Sequence, residues 1–161
     1  MKDWRGFTLV ELLVVVGIIA VLATIGLVSY AVIQRDANDG ARKSNATIIA
    51  EGLERYYNKN GEYPSVVSLV NNTAGNTGTV VAAKLGIDQT ALDMPNMAAS
   101  ATNALTSTAA SQANDYINYT ASRPSNETSC QTTVAGGCDK FTLTYIEESG
   151  TTVTINSRHQ V

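Results

Sequence analysis

Hydrophobic residues crowd the chain from Phe7 to Ile33, then thin to a single face. From Leu12 through Gln34 there are 23 residues without a charge. As a helix they extend about 34 Å, enough to cross a hydrocarbon core of about 30 Å. Leu, Ile, Val and Ala fall on every side of that helix, the signature of a membrane span or of the centre of something large. The rest of the chain is too small to bury it. Gly17 and Gly26 interrupt the run. They are either tolerated, as in many membrane helices, or mark close helix approach or a point of local melting.

From Arg35 the pattern becomes amphipathic. Ala46, Ile49, Leu53 and Tyr56 recur at helical spacing, with Arg35, Asp39, Lys43, Glu51, Arg55 and Lys59 opposite. The stripe predicts a face packed on a folded domain, and the charged side a solvated one. Asp39 with Lys43, and Glu51 with Arg55, have the favourable i,i+4 order, each pair contributing about 0.2–0.5 kcal/mol. Gly40 and Gly52 weaken the helix. It is expected to reach about Asn58, with Gly61 suited to a left-handed stop and Pro64 preventing continuation.

Beyond Pro64 the pattern is coarser. Ser65 to Val70 reads as a short helical turn, Asn71 to Thr79 as loop, and Val80 to Leu85 as a short helix stopped near Gly86. Pro95 marks a break. Met97 to Gln112 is either a weak helix or an exposed loop. Tyr116–Thr120, Phe141–Ile146 and Thr152–Asn156 read as strands, with Glu148-Ser149-Gly150 turning a hairpin between the last two. Phe141, Leu143 and Tyr145 share one face. The expected fold is α+β, a long N-terminal helix packed on a small C-terminal antiparallel sheet.

Composition narrows the function. The net charge of −3 and the Thr/Asn/Ser-rich body give no strong nucleic-acid signal. The leader Met1-Lys2-Asp3-Trp4-Arg5-Gly6 favours a cytoplasmic N-terminus, which puts the rest outside. Cys130 and Cys138 are separated by seven residues including Gly136-Gly137, flexible enough to close. In an exported domain a disulfide is the favoured reading, and two free thiols the other. Their spacing, with one distant histidine, is not a zinc pattern. His159, near the end of the chain, is expected to be solvated. Asp88, Asp93, Asp115 and Asp139 are scattered, and no nucleophile–base set or phosphate loop can be assembled. No cofactor or metal is expected, and no catalytic residue.

Glu11 is the one carboxylate at the edge of the apolar run. A carboxylate inside a bilayer costs about 2.5–3.5 kcal/mol by insertion scales. Glu11 either sits in the first turn, near the interface and favoured by the helix dipole, or it has a positive partner. Gly6-Phe7-Thr8-Leu9-Val10-Glu11-Leu12 resembles the processing site of bacterial type IV prepilins. Leu53-Glu54-Arg55-Tyr56-Tyr57 followed by Asn60-Gly61-Glu62-Tyr63-Pro64 resembles, less specifically, the helix exit of pilins and type II secretion pseudopilins. The resemblance implies cleavage between Gly6 and Phe7 by a prepilin peptidase, and N-methylation of Phe7. It also implies that Glu11 helps recruit the subunit by neutralising a neighbour's amine. Pairing with the amine of its own Phe7 stays open. Many Gram-negative major pilins carry a proline in the second half of the span, and none occurs here before Pro64.

That resemblance divides the chain into a leader (1–6), a membrane and filament-core helix (7–34), its amphipathic half (35–60) and a globular head (61–161). It implies a non-enzymatic subunit of a homo-oligomeric helical filament. The subunit would be held in the cytoplasmic membrane before assembly and exposed on a surface pilus afterwards. Its partners would be the peptidase, an inner-membrane assembly platform and minor pilins. A pseudopilin of a type II secretion or competence system is the alternative. A solitary membrane-anchored surface protein would need neither Glu11 nor cleavage.

Overall fold

The computed structural model describes residues 6–70, 77–97, 103–107, 116–123, 130 and 138–159, with the side chains of 25–29 excepted. The expected leader residues 1–5, most of the loop at 71–79, much of 97–112 and the pair Gly136-Gly137 lie outside the described residues. The chain divides into two units, Met1–Ala37 and Asn38–Val161.

One helix, α1, runs from Leu9 to Asn60. Within the first unit the apolar side chains that are described are exposed, from Phe7, just before α1, through Leu9, Leu13 and Ile18 to Ile33. Among the described residues no helix is long and apolar enough to cross a membrane. The span expected over 7–34 passes through 25–29, whose side chains lie outside the description.

In the second unit the expected stripe is the inner face of α1. Ala46, Ile49, Ala50 and Leu53 are buried, and Tyr56 packs partly against the same core. Gly61 ends the helix in the left-handed region, at φ 77°, its N–H donating to the Tyr57 carbonyl at 2.7 Å. A 3-10 turn follows at Val66–Ser68. Helix α2, Gly78–Leu85, stops at Gly86 (φ 64°), and the Ile87 N–H reaches back to the Ala82 carbonyl at 3.0 Å. A second 3-10 turn spans Gln89–Leu92, its Asp88 cap accepting from the Thr90 N–H.

The sheet has four strands in the order β1-β2-β3-β4: Leu105–Thr106, Ile117–Ser122, Lys140–Ile146 and Thr152–Asn156. The three expected strands form an antiparallel meander, with Tyr119 opposite Leu143 and Tyr145 opposite Val153. Phe141, Leu143 and Tyr145 face the core together. The fourth strand corrects the expectation of a purely antiparallel sheet. Leu105 and Thr106 pair in parallel with Ile117 and Asn118. Buried Asn103 anchors that strand by donating to the Leu69 carbonyl at 2.7 Å.

Two polar clusters tie α1 to the rest of the second unit. Arg42 is 1% exposed and pairs with Asp39 at 2.8 Å and with Glu148 at 3.5 Å. Asp39 also accepts from the Glu148 N–H, fixing the β3–β4 turn. Asp39 therefore serves Arg42 rather than Lys43, and no Glu51–Arg55 pair forms among the described residues. Arg55 instead donates to the Gly86 carbonyl. Glu54 accepts from the Tyr63 hydroxyl at 3.0 Å and from the Arg158 N–H at 2.8 Å. His159 is not freely solvated as expected: its ring stacks on Tyr57 at 4.4 Å, and its Nε2 lies 3.7 Å from Glu54.

Candidate functional site

The candidate site is the start of α1. A helix begins with N–H groups that have no intrahelical acceptor. Here Thr8 and Glu11 satisfy two of them reciprocally. The Glu11 N–H donates to Thr8 Oγ1 at 3.2 Å, and the Thr8 N–H donates to Glu11 Oε2 at 2.9 Å. The Thr8 hydroxyl donates to the same Oε2 at 2.9 Å, and the Leu12 N–H to the Thr8 carbonyl at 3.2 Å. This is a capping box, with threonine at the cap and glutamate three residues on. The spacing Thr8-x-x-Glu11 is visible in the sequence, and it supplies a third use for Glu11 beside the dipole and an amine partner. Glu11 is thus the only carboxylate of the first turn and is held by the cap, while remaining exposed.

Gly6 and Phe7 precede the cap in non-helical backbone. Phe7 is exposed, and a side chain on Gly6 would meet nothing within 4 Å. The bond between them is therefore sterically open. Farther along, a Cβ at Gly17 would also meet nothing. Leu9, Val10, Leu12 and Leu13 surround the acid with exposed apolar surface. One carboxylate in such a surface would find a cation there worth far more than in water, because the local dielectric falls once the surface is covered.

Cys130 and Cys138 are joined by a disulfide. Their backbones continue the attachment, since Tyr63 and Val66 donate to the carbonyls of Cys138 and Cys130 at 2.7 and 3.0 Å. The bridge therefore holds the segment leaving α1 against the start of β3, which a spacing of cysteines could not reveal. Among the described residues no group of three or more His, Cys, Asp or Glu is placed to hold a metal ion.

Residues 4–27 match the profile described as the prokaryotic N-terminal methylation motif. The fimbrial protein of Neisseria meningitidis serogroup B is 35% identical over 79 residues, covering 47% of this chain and 41% of its own length. That of serogroup A is 38% identical over 74 residues, covering 44% and 38%. The type IV major pilin protein PilE1 of Neisseria gonorrhoeae is 35% identical over 74 residues, covering 44% and 39%. The matched segment spans about two fifths of each relative's length. No solved structure matches the chain.

Proposed function

We propose that this chain, which carries the prokaryotic N-terminal methylation motif at residues 4–27, is a structural subunit of a type IV pilus. The observation that carries the reading is the exposed apolar helix start with its single capped carboxylate. Residues 1–6 are the leader, and the peptidase cleaves the open bond between Gly6 and Phe7. The new amine at Phe7 is then methylated. The uncharged run from Leu12 to Gln34 holds the subunit in the cytoplasmic membrane until assembly, and residues 7–34 then line the filament core. Residues 35–60 carry the head, 61–161, on the filament surface. Adhesion, twitching motility or DNA uptake would be the work of the assembled filament with its minor pilins, and the subunit catalyses nothing itself.

Glu11 steers docking. An incoming subunit with an unpaired carboxylate in an apolar surface is attracted to a site where an amine can pair with it. Apolar helices alone have no strong preference for one axial register, and one ion pair per subunit sets it. Thr8 keeps the carboxylate at the helix start while the second oxygen of Glu11 meets the neighbour's Phe7 amine. Relatives named fimbrial protein and type IV major pilin support the reading.

The test is Glu11→Gln in cells lacking the native chain. The variant should be cleaved and accumulate in the membrane fraction, with sheared surface filaments reduced at least about tenfold, as for loss of a buried charge pair. Filaments at native abundance would contradict the assignment of Glu11. Secretion or DNA uptake that depends on this chain without any surface filament would favour the pseudopilin alternative.

A further inference from the structure

An open basin of about 310 Å³ lies where α1 ends beside α2. Arg55, Tyr56, Lys59 and Asn60 wall one side, and Lys84 and Gly86 the other. Among the described residues three cations line it and no carboxylate does, on a chain of net charge −3. Basic residues near helix C-termini ordinarily answer the helix dipole. Two C-termini supply about half a negative charge each, so roughly two of the three positive charges are left over.

Among the described residues no acid neutralises them. Arg55 is spent on the Gly86 carbonyl at 3.2 Å, and Lys84 reaches only the Ser68 carbonyl at 3.4 Å. Desolvation lowers the Lys84 pKa, as expected for an ammonium held near a wall without a counter-charge. The basin is also preformed. A Cβ on Gly52 would come within 2.7 Å of Ile87 and 3.2 Å of Leu85, so the end of α2 is seated directly on α1 one turn before Arg55. Its volume lies at the small end of ligand sites, about 300–1,000 Å³.

We propose that this basin binds an anionic sugar, one bearing a carboxylate or a phosphate ester. Lys59 and Lys84 meet the anion, and the half-buried Tyr56 ring offers an apolar face to the sugar. The Asn60 side-chain oxygen accepts from its hydroxyls, the amide nitrogen already donating to the Tyr56 carbonyl at 2.8 Å. A small basin with an aromatic wall suits a single sugar better than the backbone of a nucleic acid, which needs an extended basic stripe. A role in attachment rests on the pilus reading. Binding itself does not, and it is measured on the unassembled chain.

The experiment titrates the full-length chain, in micelles of an uncharged detergent, with glucuronate, glucose 6-phosphate, glucose and inorganic phosphate, read by calorimetry. Both anionic sugars should bind and glucose should not. Lys59→Gln/Lys84→Gln should weaken binding about tenfold or more, the loss of one charge-assisted hydrogen bond or more, with an unchanged circular dichroism spectrum. Lys43→Gln, on an exposed turn of α1 outside the basin, should leave it intact. Failure of both anionic sugars to bind, indifference to the double variant, or inorganic phosphate binding as tightly as glucose 6-phosphate would overturn the proposal. So would binding of a single-stranded oligonucleotide with neither sugar bound.

Discussion

Leu13 and Leu53 lie on the same continuous helix, yet one is 67% exposed and the other fully buried. The difference is not in propensity, since both stretches are helical. It lies in what the chain itself supplies as a partner. Around Leu53 the sequence provides a stripe with a polar opposite face, and the two 3-10 turns, α2 and the sheet cover that stripe. Around Leu13 apolar residues occupy all sides, and a single small domain cannot cover them. The second unit is stabilised from within. The first leaves its described apolar side chains exposed, and in the pilus reading proposed above lipid or copies of the chain cover them.

The largest effect should separate the two leucines. Leu53→Ala removes a buried side chain and should cost the second unit about 2–5 kcal/mol. Leu13→Ala should leave its unfolding midpoint unchanged, and urea unfolding of the full chain in uncharged micelles reads both. An equal loss from Leu13→Ala would break the comparison. Opening the disulfide comes next. Cys130→Ser/Cys138→Ser should cost about 2.5 kcal/mol for so short a loop, again with no effect on helicity of the first unit.

Two glycines sharpen the contrast at a smaller scale. Gly52→Ala drives a methyl toward Ile87 and should cost about 1–3 kcal/mol, relieved when Ile87→Ala is added. Gly17→Ala meets nothing and should raise helicity instead, by up to about 1 kcal/mol of propensity. Thermal unfolding and circular dichroism distinguish these outcomes. Thr8→Ala should cost the start of α1 about 1 kcal/mol, seen as fraying at the first turn by amide exchange, and nothing in the second unit.

Alkaline pH should act only on the second unit. Burial, and then the Glu54 carboxylate that Tyr63 faces, raise the Tyr63 pKa well above its ordinary value near 10. Tyr119, fully buried and donating to the Pro64 carbonyl, is raised in the same direction. The folded state holds these protons more tightly than the unfolded one. The stabilisation is therefore complete below about pH 10 and falls as pH rises beyond it. Melting temperature should be level to about pH 9.5 and then decline, less steeply for Tyr63→Phe.

What the sequence made legible follows periodicity. The apolar run, the stripe Ala46-Ile49-Leu53, the stops at Gly61 and Gly86 and the three-strand meander all rest on local spacing, and all appear in the fold. The misses are contacts between distant residues. Strand β1 is two residues long in a Thr/Ala/Ser/Asn-rich stretch, and it exists through Asn103 and its pairing with β2. Arg42 belonged to neither face in the sequence, because its partners Asp39 and Glu148 come together only when the β3–β4 turn reaches the helix. Gly52 read as a weakness and proves to be where α2 seats. The Thr8–Glu11 box is legible from spacing alone, while the apolar surroundings of Glu11 point equally to a charged partner.

In the function proposed above, the uncovered half of α1 is a filament core released by cleavage. Intact mass and N-terminal sequence of the chain recovered from sheared surface filaments test it directly. The expected chain begins at N-methylated Phe7 and forms the bulk of those filaments. A functional chain that still begins at Met1 would contradict it.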